Sequence, residues 1–175
     1  MLKTLGLDIS TSIIGCCIIT YENKTIQKIS LSHIDLRKEK NFFKKCELVK
    51  IYLEKFNSEE NISNIIIEES LQRYKLGRSS AHTLSLLSKM NGAVSYICFS
   101  IFNLFPAYIS SISARKICEI KIIKDPSLSA KQQTFDWVTN KLNKSWEKTK
   151  NGNIQKWCYD EVDAFVLAYA LFLKN

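Results

Sequence analysis

Residues that interrupt regular secondary structure are scarce in this chain. Its 175 residues include only 5 Gly and 2 Pro, no two of the 6 Cys form a CxxC pair, and 46% are hydrophobic. This composition excludes a disordered or fibrous chain and favours one domain, residues 1–175, with a substantial core. Cys16 and Cys17 adjoin in a strand-like run, where neighbouring side chains point to opposite faces and cannot readily pair. We therefore expect reduced, mostly buried thiols and a cytoplasmic, non-secreted protein.

A long stretch without charge raises the question of a membrane segment. No charged residue occurs from Met90 to Ala114, which is long enough in principle to cross a bilayer. Pro106 and several Asn and Ser residues interrupt the stretch, however. We therefore expect a helix that ends near Phe105, then a buried strand over 107–112, and no membrane span.

Positive charge exceeds negative charge. The net charge is +8 and the sequence pI is about 9.2. Such an excess is typical of proteins that bind a polyanion, most often nucleic acid. A lysine-rich solvated surface would give the same numbers, so charge alone leaves both interpretations open.

The hydrophobic pattern predicts alternating strands and helices. Alternating or uniformly apolar runs predict strands, and apolar residues at helical spacing predict helices. The predicted strands are 2–8, 13–21, 25–34, 62–68 and 107–112, and the predicted helices are 38–56, 81–105, 113–123, 127–146 (capped by Ser127 or Ser129) and 159–173. A three-stranded antiparallel meander followed by alternating units favours an α/β fold, with a mixed five-stranded sheet flanked by helices.

Four carboxylates stand at the ends of predicted elements. Asp8 ends the first strand, Glu68 ends an aliphatic run, and Asp160 and Asp163 share one face at the start of the last helix. Each has an ordinary explanation alone, because a strand-terminal Asp often caps a turn and acids are favoured at helix starts. Together they would converge in one cleft, where burial and like charge raise carboxylate pKa values unless cations join them. Two Mg²⁺ ions about 4 Å apart would relieve that repulsion and activate water for phosphodiester hydrolysis.

Three short motifs resemble the RuvC family of Holliday-junction resolvases in order and spacing. They are Gly6-Leu7-Asp8 with Gly15, Ile66-Ile67-Glu68, and Asp160-x-x-Asp163-Ala164 followed by Ala168. The resemblance spans nearly the whole chain and implies a ribonuclease H-like fold, a homodimer and paired incision of four-way DNA junctions. It implies metal-ligand roles, for two Mg²⁺ ions or Mn²⁺ in their place, at Asp8, Glu68, Asp160 and Asp163. Lys131, in Leu128-Ser129-Ala130-Lys131, resembles a family lysine near the scissile phosphate, although an ordinary surface lysine explains it equally well.

The chain also departs from the family pattern. Ile9-Ser10 replaces the usual Pro-Gly after the first Asp, a form closer to divergent phage or viral members. Leu71 replaces the aromatic residue that wedges into the junction in bacterial enzymes, with Tyr74 nearby. Glu69 adjoins Glu68 but points to the opposite face of a strand, so we assign the ligand role to Glu68.

The predicted helix 81–105 is apolar on more than one side. This is typical of a helix that is central or buried against a partner. A twofold homodimer through it would place two active sites on one face, as two symmetric cuts require. Basic residues would then line the DNA path and bind phosphates in a salt-dependent way. The candidates are Arg73, Lys75, Arg78, Arg115, Lys116 and Lys121.

Histidine is scarce as well. His33 and His82 have no carboxylate or Cys partner at metal-ligand spacing, so we assign them no role. The three tryptophans, Trp137, Trp146 and Trp157, are interpreted as packing residues.

Taken together, these features predict a metal-dependent endonuclease that resolves four-way DNA junctions by paired symmetric nicks. The same four acids would serve a related ribonuclease H-like nuclease that acts on RNA or other branched DNA. A non-catalytic nucleic-acid-binding scaffold is a third hypothesis, although a scaffold gains nothing from mutually repelling carboxylates. An actin-like ATPase shares the initial sheet, but the chain is too short for its two lobes.

Overall fold

The computed structural model describes residues 1–69, 81–124 and 127–174, which form a sheet with helices on both faces. The strands are β1 (Leu2–Asp8), β2 (Ile13–Glu22), β3 (Thr25–Asp35), β4 (Asn64–Glu68) and β5 (Ala107–Ile109). The helices are α1 (Phe42–Glu59), α2 (Ala81–Phe102), α3 (Ser111–Ile117), α4 (Ala130–Leu142) and α5 (Lys156–Lys174). The strand order is β3-β2-β1-β4-β5, with β1–β2 and β2–β3 antiparallel and β1–β4 and β4–β5 parallel. The predicted mixed five-stranded sheet is confirmed.

The pleat of β1 and β4 sorts side chains between two hydrophobic cores. Leu5 and Leu7 of β1 pack toward α1 and α2. Gly6, between them, lies against α5 on the other face. Because successive side chains of a strand point to opposite faces, Asp8 shares the α5 face with Gly6. The same alternation in β4 directs Glu68 toward α5.

Two glycines of the sheet allow α5 to lie very close to the strands. A Cβ on Gly6 would stand 2.5 Å from the carbonyl oxygen of Ala164 and 2.9 Å from the Cβ of Ala168. A Cβ on Gly15 would stand 1.9 Å from the carbonyl oxygen of Asp160. These distances are far below van der Waals contact, so no larger residue fits without moving the helix. Small residues on both sides therefore set the height of α5 above β1 and β2.

β5 and α3 are shorter than predicted. β5 stops three residues before its predicted end, because the hydroxyl of Ser110 already caps α3. α3 ends at Ile117 rather than near residue 123, because Glu119 takes a left-handed conformation (φ 59°). The N–H of Ile120 then donates to the carbonyl of Arg115, which closes the helix end.

α4 also ends earlier than predicted. Ser129, one of the two predicted caps, accepts the N–H of Gln132, and the helix stops at Leu142. Asn143 follows in a left-handed conformation (φ 47°), which reverses the chain. Trp146, predicted to end α4, instead folds back so that its indole N–H donates to the hydroxyl of Thr139 at 2.8 Å. Its packing role against Phe135 agrees with the prediction.

α5 begins earlier than predicted. An isolated bridge between Lys148 and Ile154 turns the chain into the helix, which starts at Lys156. Asp160 and Asp163 therefore lie in the second turn, and the first turn carries no acid. The ordinary explanation, that acids are favoured at a helix start, therefore does not apply to them, since that effect fades within the first turn.

The uncharged stretch belongs to the sheet and its helices. α2 buries Met90, Val94, Ile97 and Cys98 in the core. None of the helices in the described part of the chain has the length and hydrophobicity that a bilayer crossing requires. All six thiols are free, and Cys46 is the one that is partly exposed.

Candidate active site

The carboxylates of Asp8 and Glu68 lie side by side at the carboxyl ends of β1 and β4. These strands are parallel, and their register pairs Leu7 with Ile67, the residues immediately before the two acids. Asp8 is half-buried, and burial raises its pKa well above the ordinary value. The charge of Glu68, and a hydrogen bond between the two carboxyl groups, raise the pKa of Asp8 further. This position therefore favours either a proton or a bound cation.

Asp160 and Asp163 add two carboxylates from α5. Burial raises the pKa of Asp163 to about 6, against the opposing charge of Lys131. Burial also raises the pKa of Asp160, and Lys131 again opposes the shift. Both acids contribute to the raised pKa of Asp8. The structure thus brings all four predicted carboxylates within electrostatic range of one another, and we call them the carboxylate cluster.

Lys131 is in direct contact with the α5 acids. Its Nζ lies 3.4 Å from Oδ2 of Asp163 and 3.6 Å from Oδ1 of Asp160. Burial lowers the pKa of Lys131, but the neighbouring carboxylates outweigh burial and raise the pKa above its ordinary value. The lysine therefore stays charged and partly compensates the α5 pair.

Packing between α4 and α5 positions Lys131. The hydroxyl of Tyr159 donates to Oε1 of Gln132 at 2.8 Å, and its ring packs against Phe135 with centroids 4.5 Å apart. The Nζ of Lys131 lies 5.7 Å from the centroid of the same ring. Tyr159 precedes Asp160 and Gln132 follows Lys131, so these contacts align the lysine with the acid.

The donor set of the carboxylate cluster fits a hard divalent cation. All four groups offer carboxylate oxygens, which Mg²⁺ and Mn²⁺ prefer. The largest influences on the pKa of Asp8, burial and the charges of Glu68 and Asp163, all raise it, which is the condition that a bound cation relieves. Within residues 1–69, 81–124 and 127–174, no three His, Cys, Asp or Glu side chains already have the mutual geometry of a metal site. The Lys131 ammonium takes the cationic role between Asp160 and Asp163.

His33 and Glu161 form a pair that the sequence did not reveal. Nδ1 of His33 lies 3.0 Å from Oε1 of Glu161, and the imidazole stacks on Trp157 with centroids 4.3 Å apart. Gly15 pairs with Asp8 on one side and with His33 on the other, so this pair lies beside the carboxylate cluster. No carboxylate stands at metal-ligand spacing from His33 in the sequence, and we assigned it no role, but the fold gives it a carboxylate partner 128 residues away. Side-chain alternation along β3 places His33 on the face of the sheet that α5 covers. It does not indicate which residue of α5 the histidine contacts.

The predicted DNA-path residues fall into two groups. Arg115 lines a small pocket with Glu68 and Asp163, so it borders the carboxylate cluster. Lys116 and Lys121 are exposed, on α3 and just after it. Arg73, Lys75 and Arg78, together with Leu71 and Tyr74, lie outside the described residues.

A cleft of about 650 Å³ adjoins the carboxylate cluster beside α4. Asp160 and Tyr159 border it on α5. Its cationic lining is formed by Arg37, Lys131 and Lys156. The cleft therefore presents positive charge next to the carboxylates, which suits an anionic group held close to a metal ion.

Solved structures similar to this chain include three Holliday-junction resolvases. T. thermophilus RuvC in complex with a Holliday junction substrate has a TM-score of 0.68 at 11% identity, covering 98% of this chain and 94% of that chain. The yeast mitochondrial Holliday junction resolvase has a TM-score of 0.55 at 16% identity, covering 98% of this chain and 78% of that chain. The fowlpox virus resolvase in complex with substrate Holliday junction DNA has a TM-score of 0.51 at 15% identity, covering 98% of this chain and 97% of that chain.

Sequence comparison alone gives no such link, since no protein-family model and no curated protein matches the chain. At these low identities the structural likeness establishes the fold. The resemblance inferred from the three motifs is thereby confirmed at the level of architecture. The chain has the ribonuclease H-like fold that these three resolvases share.

Proposed function

We propose that this protein is a metal-dependent endonuclease that resolves four-way DNA junctions, with Mg²⁺ or Mn²⁺ as its cofactor. The observation that supports it most directly is the pairing of Asp8 and Glu68 at adjacent strand ends, within range of the two α5 acids. The net charge of +8 favours a polyanionic substrate. T. thermophilus RuvC and the fowlpox virus resolvase, which have this fold, have been solved with Holliday junctions.

In this proposal Asp8, Glu68, Asp160 and Asp163 hold two divalent ions through their carboxylate oxygens. When bound, the ions supply an activated water and charge stabilisation for phosphodiester hydrolysis, which leaves 5′-phosphate and 3′-hydroxyl ends. The chain keeps the oxygen donors in place on rigid elements, because two stand at strand ends and two on a helix seated against Gly15. Ion binding requires ionised carboxylates, and burial raises the pKa of Asp163 to about 6, so protons compete with the ions increasingly as the pH falls toward and below that value.

Lys131 is proposed to bind a non-bridging oxygen of the scissile phosphate. Its ammonium group is charged, lies beside the carboxylate cluster and also lines the adjoining cleft. A fixed cation there would stabilise the charge that develops on the phosphate during hydrolysis. Lys131→Met should therefore slow cleavage at saturating DNA and Mg²⁺, with little change in junction affinity.

Paired nicks require two active sites, and we propose that α2 supplies the contact of a homodimer. On the side of α2 away from the core, Tyr96 is 70% exposed, and Phe99 stacks on Phe105, which is itself 86% exposed. A twofold contact through this aromatic surface would bury it. Sedimentation of the wild-type chain and of Tyr96→Glu tests the proposal, since the charged variant should be a monomer.

The decisive test is a nicking assay on a mobile four-way junction with Mg²⁺, with products mapped on all strands. Symmetric nicks with 5′-phosphate ends support the proposal. Asp8→Asn should bind the junction without cutting it, whereas Lys24→Gln, in the distant β2–β3 turn, should cut normally. Cutting by Asp8→Asn at the wild-type rate contradicts the metal assignment.

The same assay separates the other hypotheses. Faster cutting of RNA or three-way DNA than of the four-way junction would favour a related ribonuclease H-like nuclease. Junction binding without cleavage under any divalent ion would favour a scaffold.

A further inference from the structure

Half of the net charge of the chain lies in nine residues between β3 and the first turn of α1. We call residues 37–45 the basic segment. It has five cations and one acid, a net +4 of the total +8. The cations are Arg37, Lys38, Lys40, Lys44 and Lys45, and the acid is Glu39.

The basic segment is attached to the turn that follows Asp8. At its start, the N–H of Leu36 donates to the carbonyl of Ser12 at 2.8 Å. At its end, the ammonium group of Lys45 donates to the carbonyl of Thr11. Its charges therefore lie at the same end of the sheet as the carboxylate cluster.

Arg37 connects the basic segment to the cleft. The carboxylate of Asp35 binds the guanidinium of Arg37. Nε of Arg37 donates to Oδ1 of Asp35 at 2.9 Å, and Nη2 donates to Oδ2 at 2.6 Å. These bonds hold the pKa of Asp35 below its ordinary value and use two of the five N–H donors of Arg37. Arg37 lines the cleft together with Lys156 and Asp160. An arginine held in one orientation beside an open cleft is suited to bind a phosphate.

Phe43 is the exposed aromatic residue of the basic segment. Its side chain is 78% exposed, whereas Phe42, which meets it edge-on with centroids 5.7 Å apart, packs against the core. The side chain of Asn41 accepts the N–H groups of Phe43 and Lys44, so the backbone below the ring is capped and ordered. An exposed ring between Lys40 and Lys44 can stack on a nucleic-acid base while the lysines bind the adjacent phosphates.

From this geometry we infer that the basic segment binds an unpaired nucleotide of the DNA strand that enters the carboxylate cluster. Arg37 and the neighbouring lysines bind its phosphates, and Phe43 stacks on its base. The identity of the strand rests on the proposed function, while the contact surface and the stacking residue go beyond it. A fully paired duplex offers the same phosphates but no free base face, so the segment favours sites where pairing is interrupted.

The test measures DNA binding by the full chain in EDTA, so that cleavage does not enter. Three probes are compared, namely a four-way junction, a duplex with an unpaired 2-aminopurine, and the same duplex fully paired. Phe43→Ala should weaken binding to the first two probes roughly 5- to 100-fold and leave the paired duplex unchanged. Phe43→Trp should retain wild-type affinity and quench the 2-aminopurine fluorescence.

Two further substitutions complete the design. Ile51→Ala removes another exposed apolar side chain of α1, 62% exposed, and should not change binding to any probe. Arg37→Gln should weaken binding to all three probes and reduce the slope of log affinity against log salt by about 1.

The outcomes separate this inference from the proposed function. Wild-type binding of all three probes by Phe43→Ala, or equal losses on paired and unpaired probes, overturns the stacking role even if the chain cuts junctions. A wild-type chain that neither binds nor cuts the junction overturns the proposed function itself.

Discussion

Asp160 and Glu161 are neighbours on α5, yet their surroundings differ. Glu161 is almost fully buried and has a partner within the chain, because Nδ1 of His33 lies 3.0 Å away and Trp157 covers the imidazole. Asp160 belongs to a cluster in which acids face acids, and Lys131 contacts only part of it.

The difference distinguishes a structural acid from one that is suited to bind a ligand. Burial raises the pKa of both Glu161 and Asp8, but the hydrogen bond from His33 opposes the shift at Glu161, while the charges of Glu68 and Asp163 add to the shift at Asp8. A carboxylate whose negative charge is already balanced by a partner in the chain is stabilised little by an added cation. A carboxylate that lies among other acids is stabilised much more, so the comparison indicates where a metal ion would bind.

The largest expected effect concerns cleavage. Asp8→Asn keeps the shape of the side chain and removes its charge, so junction cutting should fall by roughly 100-fold or more. Glu161→Gln should retain most of the activity, because its amide oxygen still accepts a hydrogen bond from His33. Initial rates at saturating Mg²⁺ measure both. Similar losses in the two variants would show that the two regions do not differ in function.

Gly15→Ala should disturb both regions at once. Its Cβ would stand 1.9 Å from the backbone oxygen of Asp160, so α5 must move. We expect a loss of about 1–3 kcal/mol or more in the free energy of unfolding, with loss of cleavage. Gly92→Ala is the matched control, because a Cβ there meets nothing within 4 Å. Helical alanine at that position should stabilise the fold by about 0.4–1 kcal/mol. Urea denaturation of both variants checks the contrast.

Glu161→Ala should affect stability more than chemistry. It leaves His33 half-buried without its carboxylate, and we expect a cost of about 1–3 kcal/mol in the free energy of unfolding. Glu161→Gln should recover most of it. Urea unfolding of the two variants would exclude a stabilising pair if both matched the wild type.

The smallest expected effect is on thermal stability: without metal, Asp8→Asn should be more stable than the wild type, by an amount that depends on pH. An acid with a raised pKa binds its proton more tightly in the folded state, so stability falls as the pH rises between the unfolded and folded pKa values. For Asp163 this window runs from 3.8 to about 6, and the pKa of Asp8 is also raised. In EDTA at about pH 7.5, Asp8→Asn should therefore melt higher than the wild type, by about 2–4 °C for each kcal/mol. The gap should close toward about pH 4, where the wild-type acids are protonated.

Mg²⁺ should reverse this order. Added ions should raise the melting temperature of the wild type more at about pH 8 than at about pH 5.5, since ligands must be ionised. Asp8→Asn should respond less. Equal responses of the two proteins to Mg²⁺ would place the ion elsewhere.

Much of the site was predictable because its determinants are local. Alternation predicted β1 and a uniformly apolar run predicted β4, and the pleat of the two strands puts their terminal acids, Asp8 and Glu68, on one face. The serine cap of α4 was among the two predicted caps for the same reason, since capping depends on neighbouring residues. The metal roles of the acids remain predictions.

Helix ends and distant partners were less predictable. α3 and α4 end where Glu119 and Asn143 adopt left-handed conformations, and α5 starts early because the bridge between Lys148 and Ile154 turns the chain into it. These features depend on where the following residues pack.

The sequence by itself determined the strand pattern, the positions of the four acids along the chain and the glycines that α5 requires. The tertiary structure alone decided that Lys131 stands between two of those acids, and that His33 meets Glu161. The reason is that periodicity and capping act over a few residues, whereas these contacts depend on strand register and on how α4 and α5 dock over the sheet.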